Sequence, residues 1–290
     1  MSTHDKPSRA GENVNARHSS QRTLPMLRVP SARYALRVFT AAAVFLARPL
    51  SAQSIDLSRY TMVDLTHELA ADATAWPGSR NPFKLDTIVA SPTSAMFRLT
   101  LNEHFATHLD APRHASGTGW TNERIPLETL IAPLVVIDVR EHTARDRDYA
   151  LLPADIAAHE RRFGRIPRGA IVILRTGWSR YWDNPTMYFG ADTSVKPTVL
   201  HFPSFGVAAA QLLVARGVAM LGVDSPSTDV GNAPRFAVHG ILGAANVPAL
   251  ENLADSDALP RTGAVLFALP IKTRGGSGGP VRVVALIPRR

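Results

Sequence analysis

A domain of α/β or α+β class is predicted by three features of the sequence. Residues 134–139, 170–174 and 218–223 are short, mostly β-branched or apolar runs, as strands covered on both faces are. Helical patterns stand between them, at 155–163 and at 204–216. Two more apolar runs, 264–269 and 281–287, close the chain. Strands interleaved with helices around one core give a mixed fold.

The elements follow in order. Residues 1–53 form a basic leader, and residues 54–290 form a single domain without internal repeats. In the leader, Arg28, Arg33 and Arg37 precede a run at 38–47 that is apolar except for Thr40. That run is shorter than the ~20 residues needed to cross a bilayer, and it suits the core of a signal peptide. Leu50-Ser51-Ala52 offers a cleavage site, and a start at Met26 gives a leader of more ordinary length. The expected destination is the periplasm or the exterior.

Ala75-Trp76-Pro77-Gly78-Ser79 is a turn signal. Phe97, Leu99 and Leu101 alternate with polar residues in a strand pattern. The helix at 204–216 takes Ser204 as its N-cap and Gly217 just past its end. Gly275-Gly276-Ser277-Gly278-Gly279 lacks the Lys-Ser/Thr ending of a phosphate-binding loop and reads as a turn or lid.

Charge excludes one class of partner. The net charge is +8, but eight cations against two anions in residues 1–53 leave only +2 for the body. A nearly neutral body gives no basic surface for nucleic acid. The absence of cysteine rules out thiolate chemistry and disulfides.

The densest chemistry lies in His104-Phe-Ala-Thr-His108-Leu-Asp110-Ala-Pro112-Arg-His114. Pro112 and its neighbours argue against a helix. In an extended strand His104, His108, Asp110 and His114 would share one face, with the small Ala106 leaving room in front of it. Imidazole and carboxylate suit Zn²⁺ or Mn²⁺.

The remaining candidates read more plainly. Trp76, Phe83 and Phe105 line an aromatic pocket or pack in the core. Asp224 and Ser225 end a buried strand as a cap or turn, with a wall of the active site as the alternative. His67 reads as structural, and His142, His159 and His201 as isolated surface residues. Ser225 sits in Asp-Ser-Pro and not in a Gly-x-Ser-x-Gly elbow, so it gives no serine-hydrolase reading of that type.

The stretch 104–114 resembles the His-x-Gly-Thr-His-x-Asp-x-Pro-x-His signature of the cyclase family, which includes bacterial kynurenine formamidases and isatin hydrolases. Val63-Asp64-Leu65-Thr66-His67, Trp76-Pro77-Gly78, Gly222-Val223-Asp224-Ser225-Pro226-Ser227, His239, Leu250-Glu251-Asn252-Leu253, Leu269-Pro270-Ile271-Lys272 and Gly279-Pro280-Val281-Arg282 agree in order. The similarity spans roughly residues 60–288. One position departs: the signature glycine is Ala106.

The resemblance implies a compact swivelling β/β/α domain, usually assembled as a homodimer or homotetramer. It implies a site for two divalent ions, Zn²⁺ or Mn²⁺. His104 and His108 would bind the first, Asp110 would bridge both, His239 would bind the second, and Glu251 would complete the cluster. By themselves His239 reads as a surface or capping residue and Glu251 as a solvated helix residue. His114 would be the acid/base, and Trp76 would contact substrate. The implied reaction is hydrolysis of a small, aromatic amide, N-formylkynurenine to kynurenine plus formate. Metal-activated hydroxide would attack the amide while His114 moves the proton. Export fits tryptophan catabolism poorly, so a lactam such as isatin, or a lactone, stands as the alternative substrate. A non-catalytic secreted metal- or ligand-binding protein on the same fold is the rival from another class.

Overall fold

The computed structural model describes residues 56–289, except 81, 196, 198 and 255. The leader at 1–53 and its expected cleavage site lie outside the described residues. The strands are β1 (Tyr60–Asp64), β2 (Phe83–Ser91), β3 (Ser94–Leu101), β4 (His108–Asp110), β5 (Ile131–Asp138), β6 (Ala150–Leu151), β7 (Ile171–Arg175), β8 (Ser204–Phe205), β9 (Met220–Val223), β10 (Ala249–Glu251), β11 (Ala264–Pro270) and β12 (Gly278–Pro288).

Eight of them form one sheet in the order β1-β12-β11-β5-β7-β9-β10-β4, and β12 pairs with β4 as well. That second pairing closes the sheet into a barrel. Strand β12 makes the closure by its length: Gly278–Pro280 pair with β4, and the residues after them pair with β11 and β1.

The β-branched runs are buried on both sides. Leu134, Val136, Ile171 and Ile173 point into the barrel, against Leu109, Leu250, Leu266 and Val283. Val135, Ile137, Val172 and Leu174 point outward, against Ile156, Ala209, Leu213, Val238 and Leu242. Those outer partners belong to the helices Pro153–Phe163, Val207–Arg216 and Ala237–Ala244. Strand alternation therefore feeds two cores at once, which is why these runs carry almost no polar residues.

Two local expectations are corrected. Ser204 is not a cap: it lies in β8, its hydroxyl donates to the Ser227 carbonyl at 2.6 Å, and Gly206 is the N-cap. Gly217 does end the helix, at φ 73°. His159 is not on the surface, since it is buried against Phe163 at 5.1 Å between ring centroids.

A half-buried charge cluster fastens the end of β5. The Asp138 carboxylate accepts from Arg140 at 2.8 Å and lies 2.6 Å from Arg261 and 3.4 Å from Arg175. Burial pushes the Asp138 pKa up, but Arg140 and Arg261 outweigh it and hold the value at about 2. A depressed carboxylate pKa contributes stability above the unfolded value near 4 and loses it as pH falls through 2. After discounting for solvent screening this amounts to about 1–2 kcal/mol. Thermal melts of wild type and Asp138→Asn should differ most above pH 4 and converge near pH 2. A gap that persists at pH 2 would mean that packing, not charge, carries the effect.

Candidate metal centre

The stretch 104–114 is not a single strand. Only His108–Asp110 are extended, as β4. Before them the chain bends at Ala106, which sits at φ 52°. After them Pro112–His114 form one 3₁₀ turn. The corner at Ala106 and the fixed φ of Pro112 stop the strand at both ends. His104, His108, Asp110 and His114 still converge, but from three segments rather than from one strand face.

Each side chain is held by named partners. The Ala106 carbonyl accepts from His108 Nδ1 at 2.9 Å, so that nitrogen carries the proton. His108 Nε2 then faces Asp110 Oδ1 at 3.2 Å and Glu251 Oε2 at 3.6 Å. Glu251 arrives through strand pairing, because β10 sets it directly opposite His108. His104 Nδ1 lies 2.5 Å from Asp110 Oδ1. His239, on the helix Ala237–Ala244, turns Nε2 toward Asp110 Oδ2 at 3.3 Å and Glu251 Oε1 at 3.2 Å. His114 stacks at the edge of the group, 3.9 Å from the His104 ring and 5.6 Å from the His239 ring between centroids.

This donor set fits a divalent metal. Asp110 Oδ2 is buried and makes no hydrogen bond, although His239 Nε2 is near it. A buried carboxylate oxygen without a partner is costly unless a cation takes it. The ligand atoms of His108, Asp110 and Glu251 lie within 4.8 Å of one another, and so do those of His104, Asp110 and His114. By distance alone His114 is therefore also within reach of an ion.

The electrostatics agree with that fit. Burial lowers the pKa of His108 and His239, but the carboxylates around them win, lifting His108 to about 9 and His239 to about 12. Burial raises Asp110, yet His108, His104 and His239 drive it well below the usual carboxylate range. The pocket thus demands positive charge. Protons on imidazole supply it in competition with a metal, so binding a metal must release protons. His114 goes the other way: burial, reinforced by His104 and His239, lowers its pKa despite the pull of Asp110.

Sequence reasoning passed over the residues that orient the cluster. Asp229 accepts from His239 Nδ1 at 2.7 Å and from the backbone N–H of Val238 and His239 at 2.8 and 3.0 Å. It caps the helix and fixes the His239 tautomer together. Thr228 donates to Glu251 Oε1 through its N–H at 2.7 Å. Ser277 lies 3.0 Å from His104 Nε2 and donates to Glu103 at 2.6 Å. No local pattern marks these residues; His104 and Ser277 are 173 positions apart.

The glycine run is a tethered crossing rather than a lid. Gly275 N–H donates to Glu123 at 2.9 Å, and Gly278 begins β12. A Cβ on Gly278 would meet the Leu109 carbonyl at 2.5 Å and the His104 ring at 2.8 Å, so only glycine admits this close approach. Asp224 is structural, accepting from Thr176 and Gly177 N–H at 2.8 Å each. His67 stacks on Trp182 at 4.0 Å.

The cluster forms the floor of a cavity of about 960 Å³, walled by Trp76, Phe105, Phe189 and Phe236. Trp76 meets Phe189 edge-on at 5.8 Å and Phe236 at 6.3 Å. Phe83 does not line the cavity; it stacks behind Phe105 at 6.1 Å.

Ala106 carries a testable strain. A left-handed alanine costs about 1 kcal/mol against glycine, partly offset by the greater freedom glycine has when unfolded. Ala106→Gly should raise the melting temperature by at most ~1–2 °C and keep the metal site. A lower melting temperature would show that the buried methyl contributes more than the strain costs.

Comparison with known proteins agrees with this geometry. The Cyclase family model matches residues 63–230. An isatin hydrolase of Roseibium aggregatum is 34% identical over 66% of this chain and 74% of its own. A kynurenine formamidase of Salinibacter ruber is 25% identical over 77% of this chain and 96% of its own. The crystal structure of an isatin hydrolase bound to the product analogue thioisatinate superposes with a TM-score of 0.73 at 29% identity, covering 89% of this chain and all of that one. Isatin hydrolase A of Ralstonia solanacearum gives 0.72 at 29% identity, covering 91% of this chain and all of its own. With more than half of its length matched by the family model, this chain belongs to the Cyclase family.

Proposed function

We propose that this chain is a metal-dependent hydrolase that opens the C–N bond of a small aromatic amide, with a lactam of the isatin type as its substrate class. The observation that carries the reading is the convergence of three imidazoles and two carboxylates around the unpartnered Asp110 Oδ2, beneath aromatic walls. The 34% identity to an isatin hydrolase supports the lactam. The kynurenine formamidase similarity supports an N-formyl aryl amide, with kynurenine plus formate as the second reading.

His104, His108 and Asp110 would hold the first of two ions, and Asp110, His239 and Glu251 the second. When bound, Zn²⁺ or Mn²⁺ supplies Lewis acidity to the carbonyl and to water. The chain's own residues do the rest. Trp76, Phe189 and Phe236 hold the aromatic ring flat against apolar surface. His114, uncharged near neutrality because burial lowers its pKa, accepts a proton from the attacking water. The oxygen joins the carbonyl carbon, the C–N bond breaks, and His114 passes the proton to the departing nitrogen. The products are a carboxylate and an amine.

The test combines metal content by mass spectrometry with hydrolysis of isatin and of an aryl formamide, with and without a chelator. Bound divalent metal and chelator-sensitive turnover of one substrate are expected. A metal-loaded protein that opens no lactam, lactone or aryl formamide would sink the enzyme and favour a binding protein on the same fold. We also infer export, from the basic and apolar pattern of the leader; an N-terminus of the exported protein near position 53 would support it. Among the described residues no helix is long and apolar enough to cross a membrane.

A further inference from the structure

We propose that Asn252 is a positioning residue: its side chain clamps the left-handed corner at Ala106 and thereby aims His108 at the metal. The inference rests on the metal-site reading above and concerns how tightly the ion is held.

Two residues that flank the ligands carry a positive φ without being glycine. Ala106, two positions before His108, stands at φ 52°, and Asn252, directly after Glu251, stands at φ 55°. They are joined side chain to backbone: Asn252 Nδ2 donates to the Ala106 carbonyl at 2.9 Å. The same carbonyl accepts from His108 Nδ1 at 2.9 Å. A carbonyl oxygen has two lone pairs and can serve both donors at once. Where it points decides which His108 nitrogen keeps its proton, and so leaves the Nε2 lone pair for a cation.

Asn252 is itself held on every side. Its Oδ1 accepts from the hydroxyl of the fully buried Tyr188 at 2.9 Å. Its N–H donates to the Ser225 carbonyl at 3.1 Å, and its own carbonyl accepts from Thr107 Oγ1 at 2.6 Å. The Ala106 carbonyl can only accept, so the amide nitrogen must face it and the amide oxygen must face Tyr188. Asparagine suits the position because it tolerates left-handed backbone and carries donor and acceptor on one short side chain.

Alanine at 106 makes the clamp matter. A left-handed alanine is strained where glycine is not. Once released, an alanine corner relaxes toward negative φ and turns its carbonyl away from His108. A glycine corner gains little by relaxing, so it depends less on Asn252. The amide also lines the cavity, which makes direct contact with substrate the rival role.

Titration of the metal-free protein with Zn²⁺ against a competing chelator tests the proposal, beside a thermal melt. Asn252→Gly removes the amide and keeps the left-handed backbone. It should raise the Kd for the ion by about 10–100-fold, the range for losing a group that orients a ligand, with KM little changed at saturating metal. In an Ala106→Gly background the same substitution should cost at least ~threefold less, because the two positions act through one corner. Tyr188→Phe, which frees one end of the amide, should raise the Kd by about 2–10-fold, as loss of one hydrogen bond does. A folded Asn252→Gly with wild-type Kd overturns the proposal. So does an equal loss in both backgrounds, or a raised KM at unchanged Kd, which would make Asn252 a substrate contact. If Asn252→Gly does not fold, Tyr188→Phe decides, and an unchanged Kd there overturns the proposal. A wild type that binds metal but opens no amide would sink the hydrolase and leave this inference standing, since the Kd is read without turnover.

Discussion

Asp110→Asn should empty the metal site and lower hydrolysis at least ~1000-fold, more than the 10–100-fold typical of a residue that merely supports a ligand. Asp110 is the hub of the cluster. Its Oδ1 lies 2.5 Å from His104 and 3.2 Å from His108, and its Oδ2 lies 3.3 Å from His239. No other side chain of the group touches all three imidazoles. Its backbone is fixed from both sides, opposite Ala249 of β10 and Gly278 of β12, so no shift of β4 can bring a substitute carboxylate into place. Asparagine keeps the shape and removes the charge. In the metal-free protein the charged His108 and His239 then lose their common partner, so their pKa values fall. Metal analysis after dialysis, beside a thermal melt to show the fold intact, gives the answer. A variant that keeps a full complement of metal would remove Asp110 from its bridging role.

Much of this was legible in the sequence, for a physical reason. Runs such as Val135–Ile137 had to be strands covered on both faces, because nothing polar in them could face water. The spacing of His104, His108, Asp110 and His114 pointed to a cluster, and the structure does bring ring nitrogens and carboxylate oxygens of these residues within a few ångström of one another. The shape of the stretch was not legible. Alternation suggested one strand, but the backbone turns at Ala106, a residue whose composition gives no hint of a positive φ. Nor could local pattern supply Glu251, which reaches His108 through the register of β10 on β4, or Asp229, which reaches His239 from ten residues away. Those pairings depend on barrel closure through β12, a property of the whole sheet rather than of any window. Family similarity supplied His239 and Glu251, and the resemblance carries no account of Asp229 or Ser277.

His114→Ala should separate binding from turnover: metal content unchanged, kcat lower by about 10²–10⁴, and KM little affected. His114 lies beside His104 and His239 at the rim of the cluster, on a 3₁₀ turn rather than on β4. It is exposed to the cavity, where a substrate nitrogen can reach it. Burial lowers its pKa, and the neighbouring imidazoles of His104 and His239 lower it further against the attraction of Asp110. A lowered histidine pKa keeps the ring uncharged above it, so the base form is present at neutral pH and is lost as pH falls below the usual 6.5. A bound cation would push the same way. Wild-type kcat/KM should therefore rise with pH through an acid limb that ends below pH 6.5, and the variant should lack that limb at its reduced rate. His114→Gln would keep a hydrogen bond to substrate without moving a proton, so it should resemble alanine in rate and pH profile. Loss of metal from His114→Ala would instead make this residue a ligand, consistent with the 4.8 Å grouping of His104, Asp110 and His114, and the acid/base role would pass to another group.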